Sequence, residues 1–424
     1  MFGLGPSVFA NQARGNVARF NPAPLFREGD DGFLANFSDL NSMFQESAAA
    51  VPVTGPGDPC AALQDRSGND HIAVQSVNDD YRPVLGRHPR SGARQMLDRS
   101  DDLAAAPWSG LPTVTPGTHV SPSGALDAAT VTASGTGSTD YLSAANIVPL
   151  EGGIRKSIYA RTVSGTGTVG LMSYGASTGA TVSLTEDWQR FDLGWLSDDP
   201  ENTHFYLVDF RVGTLDEVVV WGPQLEPGET ATAYQSRVDQ YDITEAGQPD
   251  VWYMQMDGVD DRLLVPSRFG MSAAPDMTVV AAFRVDDQQA VNRIWELGSG
   301  AVGDIAGTAG VLGISYRHND GNVVFDGVIA DSGTAVLTFV KSEGDTYGEG
   351  RARLQGAELL VNYDGNPTNT PVDTSESFSI GAGPNGQNPT KCKLYGLMII
   401  NRVLTDAEIA RVEQYFAHQS GVTL

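Results

Sequence analysis

Hydrophobic residues in this chain fall mostly in short runs that are separated by Gly, Pro, Ser and Asp. The runs at residues 154–162, 169–172, 182–191 and 218–221 are rich in β-branched and aromatic residues and have the length of strands. Their regular spacing, with a turn between each run and the next, predicts a β-sandwich over residues 100–240.

The end of the chain carries the signals of one strand followed by one helix. The apolar run at residues 394–400 has the length of a buried strand. After it, Thr405 and Glu408 have the spacing of a capping box, which satisfies free backbone donors at the start of a helix. Apolar residues then recur at helical spacing, at Ile409, Val412 and Phe416. We therefore expect a short amphipathic helix that packs on the strands and ends before Gly421.

A second set of strands leads up to this helix. The segments 256–263, 276–284, 359–365 and 378–381 resemble, in order and spacing, strands of laminin-G/concanavalin-A-like jelly rolls, many of which close with such a helix. The resemblance implies a jelly roll over residues 251–424, and we expect this span to fold alone. It does not choose a function, because this fold hosts lectins, glucanases and structural modules.

Two motifs in the middle of the chain resemble a second family. The Thr-x-x-Trp-Gln-Arg motif begins at Thr185, and the Trp-Gly-x-Gln-Leu-Glu-x-Gly motif begins at Trp221. Both are similar to motifs of a carbohydrate-binding-module-like domain found in phage tail and fibre proteins, which implies such a domain over residues 100–240. Because Trp188 and Trp221 lie within strand motifs, we expect both side chains in the hydrophobic core.

Residues 1–99 are predicted to form an extended segment that anchors the protein to a virion. Residues 1–35 are punctuated by Gly, Pro and Asn and cannot build a core alone. Residues 40–75 resemble the linker of many tailed-phage and prophage virion proteins, although Phe37 and Ser38 stand where that pattern usually has Asp-Pro. The matching positions are Leu40, Met43, Phe44, Gln45, Ser47, Pro52, Val53, Thr54, Pro56, Gly57, Asp58, Pro59, Leu63, Asp65, Arg66, Ser67, Gly68, Asn69, His71 and Gln75.

The first 35 residues are expected to become ordered only on another virion protein. Their apolar side chains are the natural contacts for such a partner, since the segment has too few of them for a core. These side chains are Phe2, Leu4, Phe9 and Phe20.

The charge of the chain argues against two classes of partner. Its 424 residues include 27 Lys and Arg against 52 Asp and Glu, which gives a formal net charge of −25. Such a surface repels nucleic acid and anionic membranes. The two cysteines, Cys60 and Cys392, are too few for a disulfide framework. The first residues lack the basic region and long apolar core of a signal peptide, so we expect synthesis in the host cytoplasm and release by lysis.

No catalytic or cofactor-binding residue is predicted. The six histidines show no metal-binding spacing, and the sequence has neither a Gly-x-Ser-x-Gly nucleophile elbow nor a phosphate-binding loop. Glycosidases on jelly-roll folds usually place several carboxylates at alternate positions along one strand. The nearest candidate, Glu343 with Asp345, stops after two carboxylates and is better explained as a turn around Gly344. We therefore predict that the protein is not an enzyme.

Three acidic residues are a candidate calcium site. Asp257, Asp260 and Asp261 lie close together in sequence and offer the oxygen ligands that calcium prefers. The alternative is that Asp257 caps a turn with Gly258 while the other two face solvent.

Three aromatic residues are candidates for stacking on sugar rings. They are Trp108, Trp295 and Tyr316. The alternative for each is a place in the core of a sandwich, where large aromatic side chains usually lie.

Together these features predict an all-β protein: two consecutive β-sandwiches follow an extended N-terminal virion-anchoring segment, and one short helix ends the chain. We expect a homo-oligomeric head or tail spike or fibre of a tailed phage, prophage or gene transfer particle. It would bind other virion proteins through the N-terminal segment and host surface polysaccharide through the sandwiches. A decoration protein that binds no sugar and a capsule depolymerase are the two alternatives.

Overall fold

The protein is an all-β chain that ends in one α-helix, which confirms the predicted fold class. The computed structural model describes residues 20–75, 79–144, 154–173, 180–195, 205–271, 276–286, 292–297, 301–308, 311–318, 321–330, 333–345, 349–364 and 377–424. Their strands form four large sheets and one two-stranded sheet.

The elements follow one another in three groups. The first strands are β1 Gly32–Asn36, β2 Met43–Phe44, β3 Ala62–Gln64, β4 Ile72–Val74 and β5 Val84–Pro89. The middle strands are β6 Trp108–Gly110, β7 Thr113–His119, β8 Ala128–Thr132, β9 Tyr141–Ala144, β10 Ile154–Arg161, β11 Gly167–Ser173, β12 Ala180–Leu184, β13 Gln189–Trp195, β14 Phe205–Gly213, β15 Glu217–Pro227, β16 Gln235–Arg237 and β17 Ile243–Glu245.

The last group holds the remaining strands and the helix. Its strands are β18 Asp250–Asp257, β19 Leu263–Val265, β20 Met277–Val285, β21 Asn292–Leu297, β22 Ala301–Thr308, β23 Val311–His318, β24 Gly321–Ala330, β25 Thr334–Lys341, β26 Arg351–Leu354, β27 Ala357–Leu359, β28 Val361–Asp364, β29 Phe378–Ile380 and β30 Lys391–Ile400. The helix is α1 Asp406–Ser420, and short 3-10 turns lie at Ala23–Leu25, Leu40–Ser42 and Asp79–Tyr81.

The first and last groups together build one sandwich, which we call the terminal sandwich (β1–β5 with β18–β30). One sheet has the order β27-β26-β25-β20-β30-β18-β5, and β1 also pairs with β30. The facing sheet has the order β2-β3-β4-β19-β29-β21-β22-β23-β24-β28. Side chains of both groups share its core, so Phe33 and Met43 pack in the same cluster as Phe283 and Leu397.

The chain leaves the terminal sandwich and returns to it at one place. β5 and β18 are antiparallel neighbours, with Pro89 opposite Asp250. The backbone N–H of Arg90 donates to the carbonyl of Pro249 at 2.9 Å. The residues between these two points are therefore inserted between adjacent strands of one sheet.

This topology differs from the prediction that residues 1–99 are an extended anchoring and linker segment. Within residues 32–89, β1, β4 and β5 pair with strands of the last group, and β2 and β3 join the sheet of β19 through β4. Phe33 is fully buried. Phe20, predicted as a contact with another virion protein, lies against α1, with its ring 4.1 Å from the Arg411 guanidinium. The other three predicted contacts, Phe2, Leu4 and Phe9, lie outside the described residues.

The inserted part contains a second sandwich, which we call the middle sandwich (β6–β15). Its sheets have the orders β13-β10-β15-β8-β7 and β12-β11-β14-β9-β6, and their inner faces share one core. It falls within residues 100–240, where the strand pattern predicts a sandwich. The hairpin of β16 and β17 forms the separate two-stranded sheet.

The C-terminal helix has the features that its sequence predicts. Thr405 and Glu408 form a complete capping box, and Gly421 ends the helix in the left-handed conformation with φ 76°. Ile409, Val412 and Phe416 are fully buried against the terminal sandwich. No helix among the described residues has the length and hydropathy to cross a bilayer.

Glu408 is held by several partners at the start of α1. Its carboxylate accepts the Thr405 backbone N–H at 2.8 Å and pairs with Arg27 at 2.7 Å and with Arg402 at 3.2 Å. Burial opposes ionisation, but the hydrogen bonds from Thr405 and the contacts with Arg402 outweigh it and lower the pKa of Glu408 to about 2.

We expect Glu408→Gln to destabilise the protein by about 2 kcal/mol at pH 7, since it removes the charge that pairs with Arg27 and Arg402. The amide oxygen of glutamine can still accept the N–H of the capping box, so the substitution isolates the charge. The folded-state pKa is depressed, so the stabilisation is complete above the unfolded pKa and fades as the pH falls towards 2. In urea unfolding, the loss of stability of Glu408→Gln relative to the wild type should therefore be smaller at pH 3 than at pH 7. Asp406→Asn is the control, because that side chain is 74% exposed and its loss should cost little. An equal loss of stability at both pH values would contradict the lowered pKa of Glu408 in the folded protein.

Candidate functional site

A cavity of about 620 Å³ lies on the middle sandwich. The described residues that line it are Ser100, Asp101, Leu103, Pro116, Pro122, Ser123, Asp127, Ala129, Tyr159, Val220, Trp221, Gly222, Pro223, Ala233, Tyr234, Ser236, Thr244, Glu245 and Ala246. We call it the aromatic cavity, after three rings in its lining: Tyr159, Trp221 and Tyr234. Its volume is within the range of about 300–1,000 Å³ that is usual for small-molecule sites.

The three rings form a continuous wall. Tyr159 and Trp221 are cross-strand partners on β10 and β15, with ring centroids 5.4 Å apart and planes tilted by 58°. Trp221 and Tyr234 have centroids 4.7 Å apart and a tilt of 60°. All three side chains are half-buried, so the wall keeps surface that a ligand can cover.

The alternation of the two strands turns these rings outward. Ile158 and Val220 are fully buried in the core of the middle sandwich, so their neighbours Tyr159 and Trp221 point to the outer face. Gly222 follows with φ 62°, and a Cβ at that position would lie 3.3 Å from the Tyr234 ring. Glycine therefore allows both the backbone conformation and the close approach of Tyr234.

Polar groups surround the wall. The Tyr234 hydroxyl donates to the Ser100 carbonyl at 2.9 Å, and burial raises the pKa of Tyr234. Asp101 and Asp127 are exposed in the lining, and burial is the main cause that raises the pKa of Asp101. Further hydroxyl groups come from Ser123, Ser236 and Thr244. The cavity thus combines an aromatic surface with hydrogen-bonding groups at its edges.

The aromatic residues singled out in the sequence do not build this cavity. Trp108 and Trp295 are 7% and 2% exposed and belong to the two sandwich cores, so for both the core alternative is correct. The side chain of Tyr316 lies outside the described residues. The prediction of a core position is wrong for Trp221, which is half-buried in the cavity wall. It is also wrong for Trp188, which is half-buried and donates its Nε1–H to the Val120 carbonyl at 3.1 Å.

The structure brings the predicted acidic trio together. Carboxylate oxygens of Asp257, Asp260 and Asp261 lie within 4.8 Å of one another. Asp257 also caps the turn at Gly258, since it accepts the Val259 N–H at 2.8 Å. Asp261 is 4% exposed, and burial together with the charge of Asp257 raises its pKa to about 7. Calcium binding by this trio stays a prediction, which a calorimetric titration of the protein with calcium would test.

Glu343 and Asp345 lie where the turn alternative puts them. β25 ends at Lys341, and the backbone N–H of Glu343 donates to Asp276 Oδ1 at 2.6 Å. The N–H of Asp345 donates to the Ser342 carbonyl at 3.2 Å, which closes the turn. The two carboxylates therefore follow a strand instead of lining one.

No protein-family model matches the chain, and no curated protein matches it. Solved structures show partial likeness. Domain 4 of AbnA, a GH43 extracellular arabinanase from Geobacillus stearothermophilus in complex with arabinotriose, is 13% identical over 44% of this chain and 84% of that chain, with a TM-score of 0.30. Trypanosoma rangeli sialidase in complex with sialic acid is 14% identical over 41% of this chain and 28% of its own, with a TM-score of 0.26.

The binding domain of botulinum neurotoxin serotype D is 12% identical over 38% of this chain and 42% of its own, with a TM-score of 0.28. The chain therefore spans less than half the length of the sialidase and of the neurotoxin domain. Likeness at this level does not bear on what the chain binds, so its function has to be argued from the cavity.

Proposed function

We propose that this protein is a virion accessory protein, a spike or fibre of the head or tail, that attaches the particle to host cell-surface polysaccharide through the aromatic cavity. The observation that carries the binding part is the wall of Tyr159, Trp221 and Tyr234 with carboxylates and hydroxyl groups around it.

A sugar ring matches this combination of surfaces. A pyranose has an apolar face of C–H groups, which packs well on an aromatic ring, and a polar edge of hydroxyl groups. Carboxylates accept hydrogen bonds from such hydroxyl groups, and serine and threonine both donate and accept them. In the aromatic cavity, Asp101 and Asp127 supply acceptors beside the wall, and Ser123 and Ser236 supply hydroxyl groups.

The virion part of the proposal is supported by the resemblance of residues 40–75 to the linker of tailed-phage and prophage virion proteins. Within the N-terminal segment, the attachment to other virion proteins is now proposed for residues 1–19, since Phe20 packs on α1. A homo-oligomer present in many copies would hold a surface firmly even if each cavity binds weakly, because linked sites rebind at high effective concentration.

Binding without cleavage is part of the same proposal. The alternatives predict different results for the purified protein: a decoration protein binds no polysaccharide, and a depolymerase releases reducing ends. The experiment that tests the aromatic cavity therefore measures polysaccharide binding and the release of reducing ends.

We expect the full chain to bind a subset of bacterial surface polysaccharides on an array and to release no reducing ends from them. Trp221→Ala and Tyr159→Ala should each weaken binding by at least about tenfold, because each removes part of the wall. Trp252→Ala, a partly buried tryptophan of the terminal sandwich, is the matched control and should bind as the wild type does. Unfolding curves show whether each variant is folded.

Two outcomes would contradict the proposal. A protein that binds no polysaccharide on the array is better explained as a decoration protein. Release of reducing ends by the wild type, lost in a variant of the cavity, would make the protein a depolymerase.

A further inference from the structure

The charge of the aromatic cavity points to the class of sugar that it takes. Asp101 and Asp127 are both exposed in its lining, and the described lining residues include no lysine, arginine or histidine. We infer that the cavity selects sugars that are neutral or carry a free amine, and that it rejects uronates and other acidic sugars. This inference rests on the proposed function and adds the substrate class to it.

The charges of Asp101 and Asp127 reach the aromatic wall, as their effect on Tyr234 shows. Burial is the largest reason that the pKa of Tyr234 is raised, and the negative charges of Asp101 and Asp127 raise it further. A sugar that stacks on the wall therefore sits in their field. An acidic sugar would bring a like charge into that field, whereas an ammonium group would be attracted by the carboxylates and by the faces of the aromatic rings.

Two arginines near the cavity already pair with carboxylates. Arg94 pairs at 2.9 Å with Glu245, which is a third carboxylate of the lining, and Arg99 pairs with Asp102 at 3.2 Å. The guanidinium of Arg190 lies over the Tyr159 ring, 5.4 Å from its centroid.

The hydrogen bonds of Arg190 also go to the protein. Its guanidinium donates to Ser157 Oγ at 3.0 Å and to the Thr232 carbonyl at 2.5 Å. The charges of Arg94 and Arg99 are thus already offset by carboxylates, and Arg190 is held against Tyr159, so an acidic sugar gains little by approaching these cations. At low salt, the net charge of −25 for the whole chain also repels acidic sugars.

The test uses pairs of glycans that differ only in charge. The array carries oligogalacturonate beside its methyl ester, and chitosan oligomers beside chitin oligomers, together with other acidic polysaccharides beside their neutralised forms. We expect the full chain to bind at least about tenfold more tightly to the ester than to the acid, and at least as tightly to the amine form as to the acetylated form. Moderate salt should weaken both preferences, because both depend on the charges of exposed carboxylates.

The variants assign this preference to the two carboxylates. Asp101→Asn with Asp127→Asn should reduce the ratio between neutral and acidic members several-fold, and Asp127→Lys should reduce it further. Asp216→Asn removes one exposed carboxylate from a turn of the same sandwich outside the cavity and should leave the ratio unchanged. Equal changes in that control and in the double variant would overturn the assignment.

The inference and the proposed function fail in different ways. If the wild type binds acidic members as tightly as their neutral partners, and Trp221→Ala abolishes both, the cavity binds glycans but the inferred selectivity is wrong. If the wild type binds no member of any pair, both the proposed function and the inference are wrong.

Discussion

A protein in which residues 1–89 are joined to residues 250–424 through a two-residue turn should fold cooperatively, whereas residues 251–424 alone should not. Pro89 and Asp250 are already cross-strand partners in neighbouring antiparallel strands. A two-residue Asn-Gly turn in place of residues 90–249 would therefore close β5 and β18 into a hairpin. This expectation replaces the prediction from sequence that residues 251–424 fold alone.

The reason is the share of the core that the first strands supply. Large buried side chains from this part of the chain pack in the core of the terminal sandwich: Phe33, Phe37, Met43, Leu63 and Leu85. Burial of each contributes about 2 kcal/mol, so their loss removes about 10 kcal/mol, which is as large as the whole stability of a typical domain. Removal of β1 and β5 also exposes the edges of β30 and β18.

Urea unfolding followed by near-ultraviolet circular dichroism separates the two chains. The joined chain should show one cooperative transition, and residues 251–424 alone should show neither a native spectrum nor a transition. Residues 91–249, produced separately, are the control, because their strands pair only with one another in the described sheets and should fold alone. A cooperative transition of residues 251–424 alone would mean that β1–β5 are dispensable.

The strands that the sequence predicts well are long and continuously apolar. β20 and β30 are buried at almost every position, since each lies inside a sheet that is covered on both faces. The capping box predicts α1 equally well, because it is a local signal that needs no knowledge of the fold.

Three of the first five strands, β2 to β4, escape sequence analysis because they are short and lie among turn residues. β2 has two residues, and β3 and β4 have three each. Segments of this length cannot be separated from a linker by periodicity. Their places are set by partners that are far away in the chain, such as β19 for β4.

The motif that resembles a virion linker has a structural role here. Asp65 is 8% exposed, and its carboxylate accepts the N–H of Leu34 at 2.8 Å, that of Ser67 at 2.7 Å and that of Asn69 at 3.2 Å. The motif therefore fastens β1 to the turn that precedes β4. The fold gives these residues a structural role, because they hold β1 against a turn of the same sandwich. The resemblance alone predicts only a linker between domains.

The aromatic cavity could be predicted only in part. The alternation of buried residues around Tyr159 places this ring on an outer face, which is a local signal. The other parts of the lining come from residues 100–103 and residues 233–246, which are more than a hundred positions apart. Only the fold brings these segments to the same face of the middle sandwich.

We expect Phe416→Ala to destabilise the protein by about 3 kcal/mol or more, the usual scale for truncation of a buried phenylalanine. Phe416 is fully buried between α1 and the sheet that contains β30. Its ring lies directly over Gly396, so a Cβ at that position would clash with the ring. Gly396→Ala alone should therefore also destabilise the protein, by about 1–3 kcal/mol.

The two substitutions together should cost less than their sum. Without the Phe416 ring, the next neighbour of a Cβ at residue 396 is the Ala35 carbonyl oxygen at 3.6 Å, which is an ordinary contact. The added methyl group then fills part of the space that the ring leaves, and we expect a coupling energy of at least about 1 kcal/mol in urea unfolding. Phe378→Ala, at a fully buried ring in the other core cluster of the terminal sandwich, is the control and should be additive with Gly396→Ala. Additive effects of Phe416→Ala and Gly396→Ala would mean that the Phe416 ring does not pack on Gly396.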